Sequence, residues 1–455
     1  MVYVGLSRIG GIPTVNRMRY TPHTLEKLKG QFEFIKAPSE TPSAQNDPKV
    51  AETVSSILLD IERNGMDAVR KYAKQFDNYE GDFVVEKSVL ENSGSNLDPE
   101  LRGAIELGSE RTRAFARASR EKLIDYESEV APGVVCGVKH VPVQRVGAYL
   151  PAGRFPLTAS AFMSIGVARE AGVPWIVSAT PPQPNGEPND AVLYAAYLSG
   201  VDRVYILGGV QGLAAMAFGL LDDEPANMIV GAGNAFVAEA KRQLYGKVAI
   251  DLPAGPSEVA VIADHTADPV IVAADLLGQA EHGPNSPAAL VTTDRELGQR
   301  VAEEVEKHLQ TLATADICGA AWRDYGSITV ADSRETAAQL MDDLAPEHLE
   351  IITEDDDWYH ENLKNYGSIF LGEWSTVAYS DKGMAGTNHT LPTAGGAKHS
   401  AGLSVSRFVK PLTYQRVSRA ATPQAADAVR VISDSEGMAA HALTATLRLK
   451  RYKQS

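Results

Sequence analysis

From residue 134 onward the chain alternates short apolar runs with helical stretches, and this alternation constrains the fold more than any other feature. Runs at 173–179, 204–207, 228–230, 259–262 and 288–292 have the length and residue types of strands. Between them, 190–198, 212–218, 235–244, 269–282 and 297–309 read as helices. Short strands separated by helices are βαβ units, and such units build parallel sheets. At 455 residues the chain exceeds what one hydrophobic core holds. The expectation is an α/β protein with two lobes, each around a mainly parallel sheet.

The flanks differ. Residues 1–40 lack apolar periodicity and read as an arm, with Pro38, Pro42 and Ser43 marking a linker. Asp47 then suits an N-cap and Pro48 a first helical residue. Val50, Val54, Ile57, Leu58 and Ile61 form one helical stripe, which Gly65 ends. Further helices are expected over 66–76 and 99–123. The tail, 422–453, is mainly helical, and Gly437 inside it costs a helix about 1 kcal/mol relative to alanine.

Composition removes some partners. A net charge of −15 argues against nucleic acid or an anionic membrane, both of which need a basic face. Cys136 and Cys318 form no disulfide framework, which fits a reducing cytoplasm. The opening residues lack a signal-peptide pattern, and no apolar run is long enough to span a bilayer.

Several local patterns could carry chemistry. No G-x-G-x-x-G occurs. Gly231-Ala-Gly-Asn234 lies between a strand and a helix, where amides can meet a phosphate; an ordinary turn capped by Asn234 has the same sequence. Gly208-Gly-Val-Gln211 sits at the carboxyl end of a strand, where open α/β sheets bind ligands or simply turn. Gln279 and His282 share a helix face and could chelate a cation, although a histidine near a helix end often meets the last carbonyls. Glu347 and His348 put two titratable groups at an element boundary, as a base or as a capping pair. Asp381 lies in a glycine-bearing polar loop running to His389, and Glu436 and His441 lie on the helical tail. Spacing alone leaves both readings open for each.

Taken in order, longer blocks resemble the histidinol dehydrogenase family. They are VGAYLPAG at 146–153, LGGVQ at 207–211, GNAFVAEAKR at 233–242, IDLPAGPSE at 250–258, DLLGQAEH at 275–282, PEHLE at 346–350 and GTNHTLP at 386–392. The resemblance runs from about residue 45 to about 450. It implies zinc held by Gln279, His282, Asp381 and His441, and a catalytic pair Glu347 and His348. It implies NAD contacts at Tyr149, Gln211 and Asn234. Substrate contacts fall on Ser257, Gln279, His282, His348, Asp381, Glu436 and His441. It further implies Rossmann-like lobes and an intertwined homodimer whose C-terminal segment serves the partner's site. On this basis 41–150 with 257–400 is expected to form the large lobe carrying metal and catalytic residues, 151–256 the NAD lobe, and 401–455 a helical C-terminal segment.

The chain departs from the histidinol enzymes in places. Ala232 stands where proline is usual, Ala152-Gly-Arg154 replaces a Gly-Gly-Ser/Thr run, and Ala442-Leu-Thr444 follows His441 in place of Lys-Asn-Ala. GQAEHG at 278–283, AWRDYG at 321–326, YGSIFLG at 366–372 and LTYQ at 412–415 are more similar to the sulfopropanediol 3-dehydrogenase branch. The resemblance therefore implies oxidation of a small polar alcohol through a bound aldehyde to a carboxylate, with 2,3-dihydroxypropane-1-sulfonate as leading substrate and L-histidinol as alternative. Arg154, Lys398 and His399 are candidate sulfonate donors or plain surface charge. An inactive NAD- or metal-binding homologue is the reading from another class, and retention of every ligand and of the Glu-His pair argues against it.

Overall fold

The computed structural model describes residues 8–9, 12–13, 20–39, 47–153, 155–253 and 255–454. Pro42, Ser43, Arg154 and much of the expected arm lie outside the described residues. Two compact units emerge: residues 1–117 with 144–405, and residues 118–143 with 406–455.

The first unit holds two α/β sheets. In one, β1 (Arg145–Tyr149), β2 (Trp175–Thr180), β3 (Arg203–Ile206), β4 (Met228–Val230) and β5 (Ala249–Ile250) are all parallel and lie in the order β5-β4-β1-β2-β3. Helices α1 (Pro48–Asn64), α2 (Met66–Asp77), α3 (Gly209–Ala217) and α4 (Ala235–Leu244) share one apolar core with this sheet. The stripe read from the sequence explains α1: Val54, Ile57, Leu58 and Ile61 are buried, and each contributes about 1.5–3 kcal/mol on full burial. Asp47 caps it by accepting the Lys49 N–H at 2.9 Å.

These contacts correct the expected division. Helices α1 and α2 and strand β1 fall within 41–150, assigned above to the large lobe, yet they pack in the core of the first sheet. The reason is the apolar stripe, which fixes that a helix is buried but not against which sheet.

The second sheet contains β6 (Val259–Ala263), β7 (Ala288–Thr292), β8 (Ser327–Ala331), β9 (His348–Ile352) and β10 (Ser368–Leu371), in the order β10-β9-β6-β7-β8. Strand Phe32–Lys36, from the segment expected to be an arm, extends it antiparallel to β8. Alternate residues feed two cores: Val259, Val261 and Ala263 face one side, Ala260 and Ile262 the other. Helices α5 (Pro269–Ala280) and α6 (Val377–Asp381) lie on the first of these sides. Both sheets repeat one doubly wound order, with the strand order reversing between β1 and β4 and between β6 and β9.

The second unit pairs strands Tyr126–Ala131 and Val409–Val417 antiparallel on either side of Val134–Pro142. Helices Thr422–Ser435 and Ala439–Gln454 pack on each other. Gly437, at φ +72°, separates them.

Candidate functional site

In the first lobe the expected NAD contacts gather at the carboxyl edge of the sheet, around its switch point. Tyr149 ends β1, and its hydroxyl accepts the Gly209 N–H at 3.1 Å. Burial pushes this phenol up to about 12. Gln211, buried in the first turn of α3, donates its amide to Asp77 at 2.8 Å, and Asp77 also accepts the Gly208 N–H at 3.0 Å. Burial raises the Asp77 carboxyl. Asn234 caps α4, accepting the N–H groups of Phe236 and Val237 at 3.0 and 3.2 Å. Asn234 and Gly233 are exposed, so the loop and helix N-terminus present backbone to a ligand.

Gly231 starts that loop at φ +122°, and a Cβ there would stand 2.2 Å from the Tyr149 carbonyl oxygen. Only glycine fits. Lys241 and Asp251 hold the loop from below. Asp251 accepts the Gly231 N–H at 2.8 Å, Lys241 donates to the Gly231 carbonyl at 2.8 Å, and the two side chains pair at 2.5 Å, fully buried. Sequence patterns do not reveal this pair, because Lys241 lies in the 233–242 block and Asp251 in the 250–258 block, and only the fold brings them together.

In the second lobe the expected groups gather at the amino edge instead. Glu347 precedes β9 and His348 begins it, in register with Val259 of β6. His348 is 1% exposed, and its Nδ1 lies 3.0 Å from the Glu258 carbonyl. A carbonyl only accepts, so Nδ1 carries the hydrogen and the lone pair of neutral imidazole falls on Nε2. Nε2 is buried without a hydrogen-bond partner among the described residues and lies 4.0 Å from Asp381 Oδ1. Burial opposes charge on His348, but Glu347, Asp381 and the Glu258 carbonyl outweigh it and hold the group at about 9, so the ring is charged at neutral pH beside a free Asp381 carboxylate; a cation held by Asp381 would offset that carboxylate and favour the neutral ring. Glu347 is fixed by the Glu258 N–H at 2.9 Å, and Ser257, just before it, is half-buried.

Asp381 links Nε2 to a second expected metal ligand, His282. Asp381 ends α6, and its Oδ2 lies 3.4 Å from His282 Nε2. Although burial works against it, the His282 bond and the charges of His389, His348 and His282 hold this carboxyl well below the usual carboxylate range. Gln279 lies in the last turn of α5, 3% exposed, with its Nε2 unpartnered among the described residues. Among the described residues no three His, Cys, Asp or Glu side chains form a metal cluster. The donor set nonetheless suits zinc: an imidazole and a carboxylate meet here, with a buried amide one helical turn before the imidazole.

Glu436 and His441 belong to the second unit and are exposed there, Glu436 at the end of helix Thr422–Ser435 and His441 in the first turn of Ala439–Gln454. His389 bridges the lobes of the first unit, its Nε2 3.1 Å from Ser160 Oγ. Of the candidate sulfonate donors, Lys398 pairs with Asp343 at 3.2 Å and His399 is exposed.

Comparison with known proteins gives this arrangement a family. The family model described as histidinol dehydrogenase matches residues 40–449. A "Histidinol dehydrogenase homolog" of Shouchella clausii is 45% identical over 91% of this chain and 97% of its own length. The "Sulfopropanediol 3-dehydrogenase" of Ruegeria pomeroyi is 44% identical over 92% of this chain and 97% of its own. The "Histidinol dehydrogenase" of Methanosarcina mazei is 39% identical over 86% and 90%. The crystal structure of histidinol dehydrogenase from Elizabethkingia anophelis superposes with a TM-score of 0.85 at 35% identity, covering 90% of this chain and 94% of that one. Fold and sequence agree across both lobes, and the chain belongs to the histidinol dehydrogenase family of NAD-dependent oxidoreductases acting on CH–OH groups.

Proposed function

We propose that the protein is a zinc-dependent, NAD-linked dehydrogenase that oxidises a small polar primary alcohol through a bound aldehyde to the carboxylate, using two NAD. The carrying observation is His348, whose anchored Nδ1 leaves Nε2 unpartnered and facing Asp381, the position from which the neutral ring accepts a proton. Gln279, His282, Asp381 and His441 would hold zinc, which supplies a Lewis acid that orients the alcohol and polarises its oxygen. Tyr149, Gln211 and Asn234 would contact NAD. Ser257 and Glu436 would complete the substrate site.

His348 Nε2 takes the hydroxyl proton while the carbon gives its hydride to NAD. Glu347, fixed by the Glu258 amide, takes a proton from water as its oxygen bonds to the aldehyde carbon. His348 returns its proton to the aldehyde oxygen as the water adds, and the resulting hydrate gives a second hydride to a second NAD and one hydroxyl proton to His348, the carboxylic acid then ionising to the carboxylate. Retaining the aldehyde between the steps protects a reactive intermediate.

His441 and Glu436 lie in the second unit, whose helices leave Val431, Ile432, Leu443 and Leu447 exposed. Such an apolar surface supports a homodimer in which this unit serves the partner's site. The two unpaired cysteines suit the cytoplasm, and no helix among the described residues is long and apolar enough to cross a membrane.

Our leading substrate is 2,3-dihydroxypropane-1-sulfonate, supported by the block likeness and by the name of the Ruegeria relative. NADH formation with this diol and with L-histidinol, each with zinc or manganese, tests the assignment. Two NADH per diol is expected. NADH from histidinol alone reassigns the substrate, and none from either alcohol favours a binding homologue.

A further inference from the structure

A pair of acids, Glu350 buried and Asp275 half-buried, lies behind the site and takes no part in the steps above. Glu350 is the third residue of β9, two after His348, so both side chains leave the sheet on the same face. In register it stands between Val261 of β6 and Phe370 of β10, both members of the apolar core on that face. Glu350 is 0% exposed. Its Oε1 accepts the N–H of Val377, the first residue of α6, at 2.8 Å. Its Oε2 is buried, and no donor from a described residue reaches it.

Asp275, midway along α5, interacts with Glu350 and is tied to Thr376, the residue next to the Val377 that Glu350 binds. One of its own oxygens accepts the Thr376 hydroxyl at 2.9 Å. Two ionised carboxylates side by side, one of them fully buried against an apolar core, repel, and neither can donate. A single proton between them removes both penalties, because a carboxylic acid O–H donates to the neighbouring carboxylate. Burial and the nearby Asp275 push Glu350 up to about 8, and burial raises Asp275. The Val377 amide and the imidazole of His348 work the other way on Glu350 without reversing the shift.

The elements joined here are those that carry the candidate metal and acid–base groups. Helix α5 places Gln279 one turn after Asp275, with His282 just past its end. Strand β9 begins with His348, and α6 ends with Asp381. We propose that Glu350 and Asp275 hold one proton in common, and that this carboxyl pair is a positioning group setting α5, β9 and α6 in place for metal binding and proton abstraction. The inference rests on the zinc-dependent reading above.

Glu350→Gln puts an amide N–H where the shared proton stood, whereas Glu350→Ala removes the tie. Infrared spectra of the full-length protein at neutral pH read the proton directly: a protonated-carboxyl C=O band in the wild type, lost in Glu350→Gln. Zinc affinity, by competition with a chelator, and kcat read the positioning. Glu350→Gln should match the wild type in both. Glu350→Ala, folded by circular dichroism, should bind zinc about 10- to 100-fold more weakly and lose kcat, with KM for NAD unchanged. If that variant does not fold, Asp275→Ala opens the pair from the helix side and decides instead. Absence of the infrared band overturns the shared proton, and an alanine variant with wild-type zinc affinity overturns the positioning role. A wild type that binds no zinc refutes the zinc-dependent reading and the positioning role with it, while the infrared band still decides the shared proton.

Discussion

At the residue scale, His348 is defined by what its two nitrogens do. One is held by the Glu258 carbonyl and the other faces the candidate ligands unpartnered. His348→Asn keeps a polar side chain of lesser reach and removes the base. We expect kcat to fall about 10²- to 10⁴-fold, with zinc content measured by mass spectrometry unchanged. Near-normal turnover at neutral pH would rule out this base. The sequence showed that Glu347 and His348 are adjacent, but not that Glu258 fixes both, because that contact spans about ninety residues.

At the element scale, the two sheets use opposite edges. Tyr149, Gln211 and Asn234 flank the carboxyl edge of the first, as its switch point suggests, whereas Glu347 and His348 stand at the amino edge of the second. Helix α5 makes this work, since it runs back from β6 and brings Gln279 to that edge. The acid pair beneath, Glu350 buried and Asp275 half-buried, has a pH signature. Glu350 titrates at about 8 in the folded protein against an ordinary 4.5. Between these values the folded state keeps a proton that the unfolded chain releases, so stability falls as pH rises. Glu350→Gln removes this decline. Its melting temperature, compared with wild type by calorimetry from about pH 5 to about pH 8, should gain steadily with pH. A constant difference across that range would count against the shared proton.

At the scale of the whole molecule, the proposed dimer makes the exposed apolar side chains of the second unit its interface. Ile432→Glu places a charge on that surface, where Ile432 is 56% exposed in the isolated chain. We expect the mass in solution by light scattering to drop from dimer to monomer, with NADH formation lost alongside. A fully active monomer would remove the proposed role of the partner's C-terminal segment. The sequence by itself determined the α/β class, the βαβ alternation, helix α1 with its cap, and, through its ordered blocks, the family. These are local or collinear signals: periodicity, capping and composition act between near neighbours in the chain. Only the tertiary structure decided that α1 and α2 pack on the first sheet, that Phe32–Lys36 joins the second, and that Val409–Val417 pairs with Val134–Pro142. It alone brought His282, Asp381 and His348 together, and set Lys241 against Asp251 and Glu350 beside Asp275. Each of these depends on burial and on partners distant in the chain, and a buried charge or acid is recognisable as such only once the apolar walls around it are in place.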